Sequence, residues 1–175
     1  MGFAKVVTDK TYTLCGTPLY LAPEIILSRG YDKGVDNWSF GVLVYEMILG
    51  YSPFYTSDID QMTLFKRIVR VNYSFPQRCR ASAHAKDLIS KILVLSPSKR
   101  LGSLALGDND IRDHPWFAGL STSDMLHRNI KAPWKPNIKS STDTSNFDRW
   151  DNMEDKQALK TAPLSAQEQL LFDGF

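Results

Sequence analysis

At roughly 150 residues per domain, a chain of 175 residues and 19.8 kDa has room for one compact domain and a tail, which excludes a large multidomain enzyme. Hydrophobic residues make up 43% and charged residues 23%, the balance of a chain that buries a core and not of a disordered one. The net charge of +2, from 21 Lys+Arg against 19 Asp+Glu, comes without a basic block, so nucleic acid is not expected as a partner.

In chain order, residues 1–22 carry Thr8, Thr11, Thr13, Gly16, Thr17 and Pro18 without a sustained period and read as a long loop, a length typical of functional loops. Pro23 suits the first turn of a short helix that Gly30 stops. From 34 to 49 nearly every face is apolar (Val35, Trp38, Phe40, Val42, Leu43, Val44, Tyr45, Met47, Ile48), and Gly50 follows, so a helix buried all round is expected. The next helix opens at Ser57-Asp58-Ile59-Asp60 and runs to Val69, with a serine cap and acidic residues in its first turn. Ser82 caps a fourth, in which Ala85, Leu88, Ile89, Ile92 and Leu93 recur at three-and-four spacing before Pro97. A short helix is expected near 108–117. The one strand candidate, 71–75, reads equally well as extended loop.

From residue 132 the chain turns polar and proline-bearing, the composition of a tail wrapped on the surface or partly disordered. The longest apolar stretch, 35–49, is interrupted by Asp36, Asn37, Ser39 and Glu46, so neither a signal peptide nor a membrane span is expected. Two cysteines, Cys15 and Cys79, are too few for a disulfide scaffold and fit a reducing, intracellular setting, with the cytoplasm as the expected location.

Several ordered motifs make the reading specific. GFAK stands at 2–5, TYTLCGTPLYLAPE at 11–24, DNWSFGVLVYEM at 36–47 and GYSPF at 50–54. Lys99-Arg100-Leu101-Gly102, Asn109-Asp110-Ile111, His114-Pro115-Trp116-Phe117, Ala132-Pro133 and Asp143-Thr144-Ser145-Asn146-Phe147-Asp148 follow, and the chain ends Phe172-Asp173-Gly174-Phe175. The series resembles the C-terminal lobe and tail of AGC-group serine/threonine protein kinases, nearest to the cyclic-AMP-dependent kinases with the cyclic-GMP-dependent kinases second; Ala22-Pro23-Glu24 is the APE triplet.

The resemblance implies a mainly α kinase C-lobe over 1–117, with the activation segment at 1–24, a terminal C-lobe helix region at 118–131 and an AGC-type tail over 132–175. In that family the DFG aspartate, the Gly-rich loop, the ATP-anchoring lysine and the catalytic loop all precede GFAK. The chain is therefore expected to be a C-lobe fragment without the small lobe or catalytic residues. It would come from a phosphotransferase that uses ATP and Mg²⁺ to phosphorylate serine or threonine in basic contexts. Alone it is expected to be inactive, with no metal site and no tight hold on the nucleotide. A non-catalytic, pseudokinase-like module binding peptide or a regulatory subunit is the alternative.

The resemblance also assigns roles residue by residue. Thr13 stands where an upstream kinase phosphorylates the activation loop; by type alone it is one more solvated loop threonine. Leu14, Pro18 and Leu21 stand at the pocket for the side chain after the phosphoacceptor, and Thr17 at the hydroxyl that bonds the catalytic aspartate and lysine; loop packing is the plain alternative. Glu24 and Arg100 are implied to form a structural buried ion pair, and Asp36 to hold the catalytic-loop backbone, although alone it reads as a helix-terminal charge.

Glu46, inside an apolar helix, needs a partner. It is either an intramolecular arginine or, on the resemblance, a substrate arginine two residues before the phosphoacceptor. Leu19 replaces a glutamate that helps the cyclic-AMP-dependent enzymes read more distant basic residues. Tyr12 and Phe65 match aromatics presented to a cyclic-nucleotide-binding regulatory subunit. Phe147 and Trp150 match the tail motif beside the nucleotide, with Arg149-Trp150 in place of the usual Asp-Tyr. Phe172 and Phe175 match aromatics that dock on the small lobe. Cys15 reads as a small buried hydrophobe.

Overall fold

The computed structural model describes residues 4–57, 60–148 and 165–170, and the chain divides into two compact units, Met1–Thr122 and Ser123–Phe175. Among the described residues the secondary structure is helical, and the one β pairing is an isolated antiparallel bridge between Thr11 and Tyr31. No helix among them is long and apolar enough to cross a membrane.

In the first unit Pro23 opens α1 (Pro23–Ile26), where its missing N–H leaves no orphan donor. α2 (Gly34–Leu49) ends where Gly50 adopts φ 82°, a conformation glycine takes without a Cβ penalty, and its N–H donates to the Glu46 carbonyl at 2.7 Å. α4 (Ala83–Ile92) packs across α2. A Cβ on Gly41 would lie 2.5 Å from Cγ2 of Ile92 and 3.0 Å from Cδ2 of Leu93, so the close approach of the two helices requires glycine there. Trp38, Val42, Val44, Tyr45, Phe54, Leu64, Ile68, Leu88, Ile89 and Ile92 form the core.

Several expectations are corrected. α2 is not buried all round: Leu43, Met47 and Asp36 are exposed, because α4 and the turn at Pro18–Tyr20 cover only part of its circumference. α3 (Gln61–Val69) is capped by Asp60 and not by Ser57, and no acidic residue sits in its first turn. The Asp60 carboxylate accepts from the Thr63 N–H at 2.9 Å and hydroxyl at 2.6 Å, bonds that hold its carboxyl below the usual range. The helix near 108–117 splits into α5 (Asn109–Arg112) and a separate 3₁₀ turn, Pro115–Phe117, since the residue before a proline is pushed out of the helical region. Ser82 does cap α4, accepting from the Ala85 N–H at 3.1 Å.

Residues 71–75 form no strand. Tyr73 and Phe75 instead set their rings 5.9 and 5.6 Å from Tyr45, whose hydroxyl donates to the Ser74 carbonyl at 2.9 Å. Burial pushes the Tyr45 hydroxyl far above its ordinary pKa. A phenol whose folded pKa is raised contributes stability that is intact below about pH 10 and is lost as pH climbs past the unfolded value. Urea melts between about pH 9 and about pH 11 should therefore show falling stability. Tyr45→Phe, weaker at neutral pH for loss of the Ser74 bond, should decline less steeply, and parallel slopes would refute the assignment.

α6 (Thr122–Leu126) starts at the last residue of the first unit, and the second unit continues as extended chain, exposed at every residue from 132 to 148 except Asp143, which is half-buried. The Asp143 carboxylate accepts from the N–H groups of Lys139 and Ser145 at 2.8 and 2.9 Å, folding a local turn. α7 (Ala166–Gln169) has a capping box: the Glu168 carboxylate accepts from the Ser165 N–H at 2.8 Å.

Candidate functional site

The loop at 4–15 is anchored by the segment that leads into α2. Thr11 and Tyr31 exchange backbone bonds at 2.9 and 3.0 Å, and the Tyr31 hydroxyl donates to the Thr13 carbonyl at 2.7 Å. These bonds leave the Thr13 side chain exposed on an open groove of about 1020 Å³ between residues 4–15 and 31–36. Lys5, Asp9, Asp32, Lys33 and Asp36 supply its charge, two cations against three carboxylates. Asp36, in the first turn of α2, is exposed on this groove. Cys15 is a half-buried free thiol on the same wall, less buried than its residue type suggested.

Beyond Gly16 the chain turns onto α2. Thr17 is exposed and caps the 3₁₀ turn Pro18–Tyr20, its carbonyl accepting from the Tyr20 N–H at 2.9 Å. The Tyr20 carbonyl accepts from Ser39 Oγ at 3.0 Å, and the Tyr20 hydroxyl donates to Glu46 Oε2 at 2.6 Å. That bond to a carboxylate holds the Tyr20 proton on, raising its pKa, with burial adding to the effect. The intramolecular arginine weighed for Glu46 is corrected: its partner is a tyrosine, and no ion pair involves it among the described residues. Half-buried, the carboxylate retains its second oxygen for a further donor.

The three residues assigned to one apolar pocket separate in exposure. Leu21 is buried, with its Cδ2 3.3 Å from where a Cβ on Gly16 would lie, while Leu14 and Pro18 are exposed. Leu19 packs against the core. Tyr12 is exposed, but Phe65 is half-buried against the core and presents only part of its ring. In the second unit Phe147 is exposed. Trp150, Phe172 and Phe175 lie outside the described residues.

Beneath the site, Arg100 is fully buried and donates to both oxygens of Glu24, at 2.7 and 3.0 Å. The same guanidinium donates to the carbonyls of Gly34 at 2.8 Å and Val94 at 3.4 Å, and lies 5.2 Å above the Trp38 ring. One side chain thus joins α1, the start of α2 and the chain after α4. Tyr20 and Tyr31, which fasten the loop to the helical body, were missed in the sequence. Neither lies on a periodic stretch, and their partners are 26 and 18 residues away.

Among the described residues no three His, Cys, Asp or Glu side chains gather as metal ligands. The described residues do not by themselves fit a Mg·ATP site, and no chemical step through the nucleotide follows from them.

Two family models match. Residues 1–117 match the protein kinase domain, and residues 138–175 match the protein kinase C terminal domain. The chain is 45% identical over 154 residues, 87% of its length, to cAMP-dependent protein kinase type 3 of Saccharomyces cerevisiae, covering 38% of that protein. It is 41% identical over 85% of its length to the human cAMP-dependent protein kinase catalytic subunit PRKX, covering 40% of it. To the serine/threonine-protein kinase gad8 of Schizosaccharomyces pombe it is 45% identical over 81% of its length, covering 24%. The chain thus spans about two fifths or less of these relatives.

Proposed function

The chain belongs to the protein kinase family, and from that premise we propose that it is the activation-segment and peptide-binding part of a serine/threonine kinase of the cyclic-AMP-dependent type. The kinase would transfer the γ-phosphate of Mg·ATP to serine or threonine in basic sequence contexts. In such enzymes catalysis is mainly positioning and electrostatics, and this chain would contribute the positioning of the peptide. The observation that carries the reading is Glu46: a half-buried carboxylate bonded by Tyr20 and unpaired by any described cation suits a guanidinium arriving with a substrate.

On this reading Thr13 is the regulatory phosphoacceptor. Its side chain is exposed while its carbonyl is held by Tyr31, the placement that an upstream kinase needs. A phosphate would add about two negative charges to the groove that Lys5 and Lys33 also line, Lys33 with Asp108 3.7 Å from its amine. Leu14 and Pro18, exposed, would meet the residue after the phosphoacceptor, with Leu21 beneath them as support. Thr17 and Asp36 would orient a catalytic loop. Tyr12, with the edge of Phe65, would meet a regulatory subunit, and Phe147 would lie near the nucleotide.

The test is a hybrid kinase in which the nucleotide-binding part of a related cAMP-dependent catalytic subunit precedes residue 2. It should phosphorylate a serine peptide rich in arginine, and Thr13→Ala should lower kcat/KM by about tenfold or more, since an unphosphorylated segment is not ordered by charge. An unchanged kcat/KM in a Thr13→Ala hybrid that still melts like its parent would refute the role of Thr13.

A further inference from the structure

The longest stretch of the chain without an acidic residue, 61–86, carries six of the 21 Lys+Arg: Lys66, Arg67, Arg70, Arg78, Arg80 and Lys86. Taking those six from the net +2 leaves the rest of the chain at −4. Lys66, Arg70, Arg78 and Arg80 are exposed and the other two half-buried, and no ion pair among the described residues includes any of them. The acids that bracket the stretch are engaged elsewhere. Asp60 accepts from Thr63, and Asp87 accepts from Lys91 at 2.7 Å and faces His114 Nε2 at 2.9 Å.

Helix electrostatics accounts for only part of this charge. Lys66 and Arg67 lie in the last turn of α3, where cations complement the carbonyl end. Arg78 and Arg80 instead precede the Ser82 cap of α4, and Lys86 lies in its first turn, where the N–H end disfavours positive charge. The loop that carries Arg78 and Arg80 is fastened to the helical body, with Tyr73 and Phe75 packed on Tyr45, and the Lys86 amine sits 5.9 Å from the Phe75 ring of that loop. Arg78, Arg80 and Lys86, which oppose the dipole of α4 and have no ion pair among the described residues, would gain from an anion brought from outside.

We propose that residues 70–86 form a docking surface for an acidic, Asp/Glu-rich segment of a partner protein, with Arg70, Arg78, Arg80 and Lys86 as its cations. Arginine forks match carboxylates in a bidentate way. No exposed large hydrophobic residue lies between Met62 and Leu95, so the surface has neither the apolar face that enters a membrane nor an exposed aromatic on which bases stack. It is separate from the reading of Glu46, which recognises the opposite charge.

The experiment is fluorescence anisotropy of the 175-residue chain with a labelled peptide of alternating Asp and Glu, beside its Asn/Gln counterpart, phosphatidylserine vesicles and oligouridylate. The acidic peptide should bind, more weakly as salt rises, and its amide counterpart should not. Arg78→Gln with Arg80→Gln should weaken binding about tenfold or more while the melting temperature stays put, since each lost charged bond approaches a tenfold factor. The charge-matched control Lys131→Gln with Lys135→Gln, exposed in the second unit, should change affinity less than about twofold. Hydrogen exchange with bound peptide should slow within 70–86. Equal losses from the two double variants, peptide protection elsewhere, or capture of vesicles or oligouridylate in preference to the peptide would each overturn the proposal.

Discussion

Replacing Glu24 with alanine is expected to destabilise the first unit by about 3–5 kcal/mol, because it strands the fully buried Arg100 guanidinium without its carboxylate. Both oxygens of Glu24 accept from Arg100, so glutamine, which keeps one acceptor oxygen and loses the charge, should recover only part of the loss. Removing both charges together should be milder than removing one. Glu24→Ala with Arg100→Met, measured by urea unfolding, should lie above Glu24→Ala alone in stability. A Glu24→Ala midpoint equal to the parent's would mean that water or another acceptor reaches the guanidinium.

The second large effect is expected at Trp38. Its ring is fully buried, stacks on Phe54 with centroids 5.6 Å apart and planes 5° from parallel, and carries Arg100 5.2 Å above it. Trp38→Ala should cost about 3–5 kcal/mol by cavity formation and loss of transfer energy. Because Arg100 touches both Trp38 and Glu24, the Trp38 and Glu24 variants should be non-additive by about 0.5 kcal/mol or more in a double-mutant cycle. Additivity would mean that the cation above the ring contributes nothing to the coupling.

What the sequence disclosed and what it hid follow from the range of the interactions. The Ser82 cap and the apolar spacing of α4 are local, within four residues, and both were legible. Glu24 and Arg100 are 76 residues apart, and nothing local pairs them; only the family resemblance does. The Tyr20–Glu46 bond was missed for the same reason, since a tyrosine in an aperiodic loop advertises no partner. α2 departs from all-round burial because an apolar composition reports what a helix tolerates, whereas burial depends on which neighbours arrive. Leu43 and Met47 face none that cover them. The cap of α3 lies at Asp60 and not at Ser57 because, although either side chain is a competent acceptor, Asp60 has Thr63 three residues on, whose N–H and hydroxyl both donate to its carboxylate.

The central claim, that this chain positions basic peptides for phosphoryl transfer, turns on Glu46. Its most direct measurement compares kcat/KM of the hybrid kinase and its Glu46→Gln variant on two serine peptides that differ only in the arginine two residues before the serine. The parent should prefer the arginine peptide, and Glu46→Gln should erase about 1.5–3 kcal/mol of that preference while leaving the arginine-free peptide nearly unaffected. Equal losses on both peptides would contradict the claim and reduce Glu46 to a structural partner of Tyr20.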